Sequence, residues 1–140
     1  MFYGVKLTQT ESGFELSCKD MPEYVSEFAT EQEARDAIGE FLPGLMIKAY
    51  RRKRLAIPLP SPVQEGELQV HIPVKAQAKI LFWNFMAAKN YRVADVARIL
   101  GCSHVMAGRL VDMSKDLASV DAIESALRKL GGSFDLTINQ

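Results

Sequence analysis

Cysteine is scarce in this 140-residue chain. Cys18 and Cys102 stand alone, with no CxxC pair and no Cys–His spacing, which excludes a disulfide framework and leaves no zinc-site pattern. Both read as buried, reduced thiols. Long apolar runs are also missing. The longest, Ile80–Trp83 followed by Phe85–Ala88, is broken by Asn84 and bracketed by Lys79 and Lys89, far short of the ~20 residues a membrane helix needs. The opening MFYGVKLTQT lacks the basic start and apolar run of a secretory signal, so a cytoplasmic protein without membrane attachment is expected. Catalytic signatures are absent as well: there is no GxSxG, no GxGxxG and no Walker lysine loop. His71 and His104 are far apart and neither has metal-ligand spacing. The reading is therefore a non-enzyme with no metal and no cofactor.

Net charge is missing too, since 17 Lys and Arg balance 17 Asp and Glu. With 48% hydrophobic and 24% charged residues, the composition is that of an ordinary soluble globular protein, and the length allows one domain or two small ones. The balance hides a division. Residues 1–74 carry 8 basic against 11 acidic side chains, and the remainder carries 9 against 6. An acidic half joined to a basic half points to two partners of opposite charge.

Tyr3, Val5 and Leu7 alternate with polar neighbours, as do Phe14, Leu16 and Cys18 after a turn at Glu11–Gly13, which predicts a hairpin. Tyr24 to Ala29 suits a third strand. Thr30 with Glu33 fits a capping box opening a helix whose apolar face is Ala34, Ala37, Ile38, Phe41, Leu42 and Leu45. Pro43 withholds an amide and crowds the Gly39 carbonyl, so a kink or break is expected there. Pro58, Pro60 and Pro62 make a stiff connector, and Leu68, Val70 and Ile72 form a fourth strand ended by Pro73. This is an α+β plan of order β-β-β-α-β over residues 1–73, with the helix on one sheet face.

From Val74 to the end, residues 74–140 read as helical, with a short closing strand. Ala78, Leu81, Phe82 and Phe85 form one stripe; Ile80, Trp83 and Ala87 form a second. A helix apolar on two sides needs two partners. Ser119 caps a last helix ended by Gly131 and Gly132, after which Phe134, Leu136 and Ile138 alternate as a terminal strand. The second stripe and this strand together predict a homodimer or larger assembly.

The strongest functional signal lies in Val93–Val111. Val96, Ala97 and Leu100 precede Gly101, and a second helix carries Ala107 and Leu110. This is helix-turn-helix spacing: a small residue where the helices cross, and a glycine able to take the left-handed turn. The outward residues Ser103, His104, Val105 and Arg109 would then enter a major groove, with Arg109 pairing to guanine, Val105 touching a thymine methyl and Arg92 meeting a backbone phosphate. The surface Val105–Gly108 is weakly polar for that task. The basic run Arg51–Arg54 has no interleaved aromatic residue and reads as a solvated loop.

The order of FYGVKLT, CKDMPEY, AIPLPSP, VHIPVKAQAKIL and VARILGCS resembles the HicB family of antitoxins, in its members with a helix-turn-helix tail, over nearly the whole chain. The resemblance implies a partial ribonuclease-H-like front domain that docks on and blocks a HicA-type endoribonuclease toxin, with contact residues in 1–73 unspecified. It also implies a helix-turn-helix tail that dimerises and binds operator DNA, repressing the operon, and a dimer presenting two such helices predicts an inverted-repeat operator. Alternatives are a stand-alone repressor, or an antitoxin whose tail only dimerises. Nuclease activity is not expected, because such enzymes hold metal ions with a first-strand carboxylate and Phe2–Gln9 has none.

Overall fold

The computed structural model describes residues 1–140, and the chain divides into two units, Met1–Pro73 and Val74–Gln140. In the first, the alternating residues form strands β1 (Phe2–Thr10), β2 (Gly13–Cys18), β3 (Ser26–Phe28) and β4 (Leu68–His71), an antiparallel sheet in the order β3-β2-β1-β4. The register sets Tyr3 opposite Val70, Val5 opposite Cys18 and Leu68, and Leu7 opposite Leu16. One apolar face results, because side chains alternate across a strand. Gly13 starts β2 at φ 154, and a Cβ there would strike the Phe28 carbonyl. That position favours glycine both for its backbone and for its neighbour.

Helix α1 (Glu31–Asp36) opens as its sequence predicts. The Thr30 hydroxyl accepts from the Glu33 amide at 3.1 Å, and the Glu33 carboxylate reaches back to the Ala29 amide at 3.2 Å. The break, however, falls at Ala37 rather than at Pro43. Ala37 (φ −88, ψ −7) ends α1 and starts α2 (Ile38–Leu45), and Pro43 lies inside α2. Proline costs the helix one amide bond, and burial of Phe41, Leu42 and Leu45 outweighs it. The winding then loosens into a π-helical segment, Met46–Arg51, where the Arg52 amide reaches the Ile47 carbonyl at 3.0 Å. Met46, Ala49 and Tyr50 stay buried with Tyr3, Val5, Leu16, Met21 and Ile57.

The proline connector is tied back by side chains. The Tyr3 hydroxyl donates to the Pro58 carbonyl at 2.7 Å, Ser61 donates to Asp20 through hydroxyl and amide at 2.7 and 3.2 Å, and Lys19 donates to the Pro62 carbonyl at 3.0 Å and pairs with Glu67. Burial, then the nearby Cys18 and Asp20, raises the Tyr3 pKa well above its ordinary value.

The second unit contains α3 (Val74–Lys89), α4 (Val93–Leu100), α5 (His104–Arg109) and α6 (Val120–Lys129), with α3 against α6 and α4 against α5. Phe82, Met86, Val96, Ala107, Leu110, Val111, Ile123 and Leu127 are buried. Two expectations are corrected here. Residues Phe134–Ile138 form no strand, because an extended segment becomes a strand only beside another. Ile80 and Trp83, expected to wait for a second copy, are buried already, at 0% and 8% exposure. Cys18 is buried, but Cys102 is only half-buried. No helix is long and apolar enough to cross a membrane.

Candidate nucleic-acid and partner-binding surfaces

The α4–α5 pair is built from local signals. The Asp95 carboxylate accepts from the Arg92 amide at 2.8 Å, closing the start of α4, and pairs with Arg98 at 3.2 Å. Gly101 takes the left-handed conformation (φ 67, ψ 34), so the chain turns there without the strain an L side chain would add. The Cys102 amide returns to the Ala97 carbonyl at 3.0 Å. Ser103 then caps α5, its hydroxyl accepting from the Met106 amide at 3.1 Å. Ala97 and Ala107 are both buried, the small residues that permit close approach of the two helices.

Burial of Ala107 fixes which side of α5 faces out. His104, Val105 and Arg109 fall within less than half a turn of one another and are exposed, as are Ser103 and Arg92. Neither Arg92 nor Arg109 forms an ion pair within the chain, so both guanidiniums are free for another acceptor. Val105 and Met106 are 63% and 57% exposed, which makes this surface partly apolar.

The loop joining α5 to α6 is held from α3. Lys79, 3% exposed, donates its ammonium to the Asp112 and Lys115 carbonyls at 2.7 and 2.8 Å, and Lys75 pairs with Asp116. That hydrogen bond keeps the Asp116 carboxyl below its usual pKa. Nothing in the sequence marked Lys79 as internal, since its partners are backbone carbonyls more than thirty residues away.

The residues expected at a dimer contact separate into two sets. Ile80 and Trp83 are interior and Ala87 is half-buried. Phe134 is half-buried beside a groove of about 330 Å³ lined by Val74, Ala78, Leu81 and Val120, whereas Leu136 and Ile138 are 81% and 86% exposed.

In the first unit, Glu23, Glu27, Glu31, Glu33, Asp36 and Glu40 are all exposed, and Arg35 is the lone basic residue between Glu23 and Glu40, paired with Glu31 at 3.0 Å. A second groove, of about 380 Å³, opens at the hairpin end among Leu7, Phe14, Leu68 and the Glu31–Arg35 pair. The structure also brings Tyr24 to the basic run, with the Lys48 and Lys53 ammoniums 4.4 and 5.6 Å from its ring centre. Sequence spacing gives no sign of this contact.

A family model described as a HicB-like antitoxin of bacterial toxin-antitoxin systems matches residues 2–81. Over 136 residues the chain is 32% identical to Antitoxin HicB 2 of Photorhabdus laumondii, covering 97% of this chain and 95% of that protein. Over 139 residues it is 27% identical to Antitoxin HicB of Escherichia coli K12, covering 99% of each.

Proposed function

The chain belongs to the HicB-like antitoxin family, and from that premise we propose that residues 1–73 bind and block a HicA-type endoribonuclease toxin while residues 74–140 bind operator DNA and repress the operon. The observation that carries the reading is coverage. Similarity to named antitoxins runs through 97% and 99% of the chain, so it continues through the tail beyond the residues 2–81 that the family model matches. The front domain is proposed as a partial ribonuclease-H-like scaffold that acts by covering the toxin and not by chemistry. Its exposed carboxylates from Glu23 to Glu40 supply the charge that steers a basic partner. Equimolar full-length protein should abolish the toxin's ribonuclease activity, and rising salt should slow the encounter. Charge reversal at Glu31, Asp36 and Glu40 should weaken it further. A toxin that stays active beside the full chain overturns the proposal.

The tail is proposed as a helix-turn-helix. The Gly101 conformation, the Ser103 cap and the exposed His104, Val105 and Arg109 on one side of α5 support it. Dimerisation is part of this reading, with Phe134, Leu136 and Ile138 as the contact now that Ile80 and Trp83 are interior. A two-fold dimer sets two α5 helices about one helical turn apart on an inverted repeat. Replacing Leu136 and Ile138 by Asp should convert a sedimenting dimer to monomer. The exposed Val105 and Met106 favour a second reading, a tail that only associates. A gel shift on the DNA upstream of the gene separates the two: Arg109→Ala should lose roughly tenfold or more in affinity if it reads a base, and the repressor role falls if wild type prefers that DNA no more than random duplex.

A further inference from the structure

The first unit is acidic, yet five of its eight basic side chains lie in seven residues, Lys48, Arg51, Arg52, Lys53 and Arg54. Elsewhere in the unit Lys19 is paired with Glu67 and Arg35 with Glu31. In the cluster, Lys48, Arg52, Lys53 and Arg54 are exposed and form no ion pair with the protein. Exposed and unpaired, these cations are open to an anionic ligand.

Two further features point to what that ligand is. Tyr24, from the loop before β3, is half-exposed and lies against Lys48 and Lys53 at 4.4 and 5.6 Å, and its hydroxyl has no partner in the protein. The arrangement sets an aromatic platform among cations, the combination by which single strands are held: cations track the backbone and a ring stacks an unpaired base. A duplex offers no free base face to such a ring. Arg54 also sits at φ 59, with its amide on the Arg51 carbonyl at 3.1 Å. Glycine would take that backbone with less strain. Glu23, the residue before Tyr24, accepts a hydrogen bond from the Tyr50 hydroxyl.

We propose that Tyr24, Lys48, Arg52, Lys53 and Arg54 form a binding site for single-stranded nucleic acid on the first unit, separate from the α4–α5 surface. The site is independent of whether the tail binds operator DNA.

The experiment uses the full-length protein and fluorescein-labelled oligouridine and oligothymidine of about twelve nucleotides, a length within the range one such surface covers, with a labelled duplex of random sequence as control. Anisotropy is followed as salt rises. Exchanging Lys48, Arg52 and Lys53 for Gln should weaken single-strand binding at least tenfold and lower the salt slope by about two units, at ~0.7 per lost phosphate contact. Tyr24→Leu should weaken single-strand binding at least fivefold and leave duplex binding unchanged, whereas Tyr24→Phe should retain the ring's contribution. A preference between oligouridine and oligothymidine identifies RNA or DNA as the source. An unchanged salt slope in the triple variant overturns the proposal, and so does a Tyr24→Leu protein that binds both strands as wild type does. Photo-crosslinking of wild type to 4-thiouridine RNA guards against misfolded variants: adducts on Tyr24 or residues 48–54 support the site, and adducts confined to α4–α5 overturn it.

Discussion

The two units solve the same problem with contacts of different range. In Met1–Pro73 the sheet pairs residues more than sixty positions apart, as Phe2 with His71, and the connector is fastened by side chains reaching 41 to 55 positions. In Val74–Gln140 most fastenings span three or four residues: the Asp95 box, the Gly101 turn and the Ser103 and Ser119 caps. The difference teaches where each unit is vulnerable. A substitution in the first breaks a tie between distant segments, while one in the second weakens a helix end and leaves the rest standing. Lys79, helped by the Lys75–Asp116 pair, is the exception, a long-range tie in the locally built unit.

That exception should give the largest effect. Lys79→Ala removes two charge-assisted bonds from a buried ammonium to the Asp112 and Lys115 carbonyls, costing about 3 kcal/mol in urea unfolding. A loss below ~1 kcal/mol would mean that the Lys75–Asp116 pair suffices to anchor the α5–α6 loop. Gly13→Ala comes next. Its Cβ meets the Phe28 carbonyl at a φ of 154, so β2 and β3 must part, at about 2 kcal/mol. Gly101→Ala should cost less, about 1 kcal/mol, because nothing lies within 4 Å of the added carbon and only the left-handed backbone objects. If Gly101→Ala proves worse than Gly13→Ala, the contrast between local and long-range construction fails.

The smallest effects are electrostatic. Lys19 and the Gln64 amide hold the Glu67 carboxyl below its ordinary pKa in the first unit, and Lys75 does so for Asp116 in the second. A carboxyl with a lower pKa folded than unfolded contributes fully at neutral pH and loses that contribution as pH falls through the folded value. Urea midpoints should therefore drop on acidification, and Glu67→Gln or Asp116→Asn should each flatten the drop slightly. A midpoint that rises in acid contradicts both pairings.

Legibility in the sequence followed the same divide. The capping box at Thr30, the stop at Gly101 and the cap at Ser119 were readable because each is settled within a few residues. The hairpin was readable from its alternation. Pro43 misled, since propensity favours a break there while the buried side chains of α2 outweigh the lost amide. The second stripe on α3 misled because pattern shows that a face wants cover and not what covers it. Of the proposed surfaces, the outward side of α5 could be picked from spacing. The Tyr24 cluster could not, since Tyr24 and Lys48 are 24 positions apart with no periodicity to link them.

By itself, then, the sequence determined the α+β order, the boundary near Pro73 and the burial of the small residues Ala97 and Ala107 on α4 and α5, because apolar period, caps and glycine positions act over distances of a few residues. Only the tertiary structure decided that Ile80 and Trp83 are interior, that Phe134–Ile138 stays unpaired, that Lys79 is buried against two carbonyls, and that an aromatic ring stands among the lysines of the basic run. Each of these depends on which distant segment occupies the adjoining space, and burial and hydrogen bonding reward that choice only after the chain has closed upon itself.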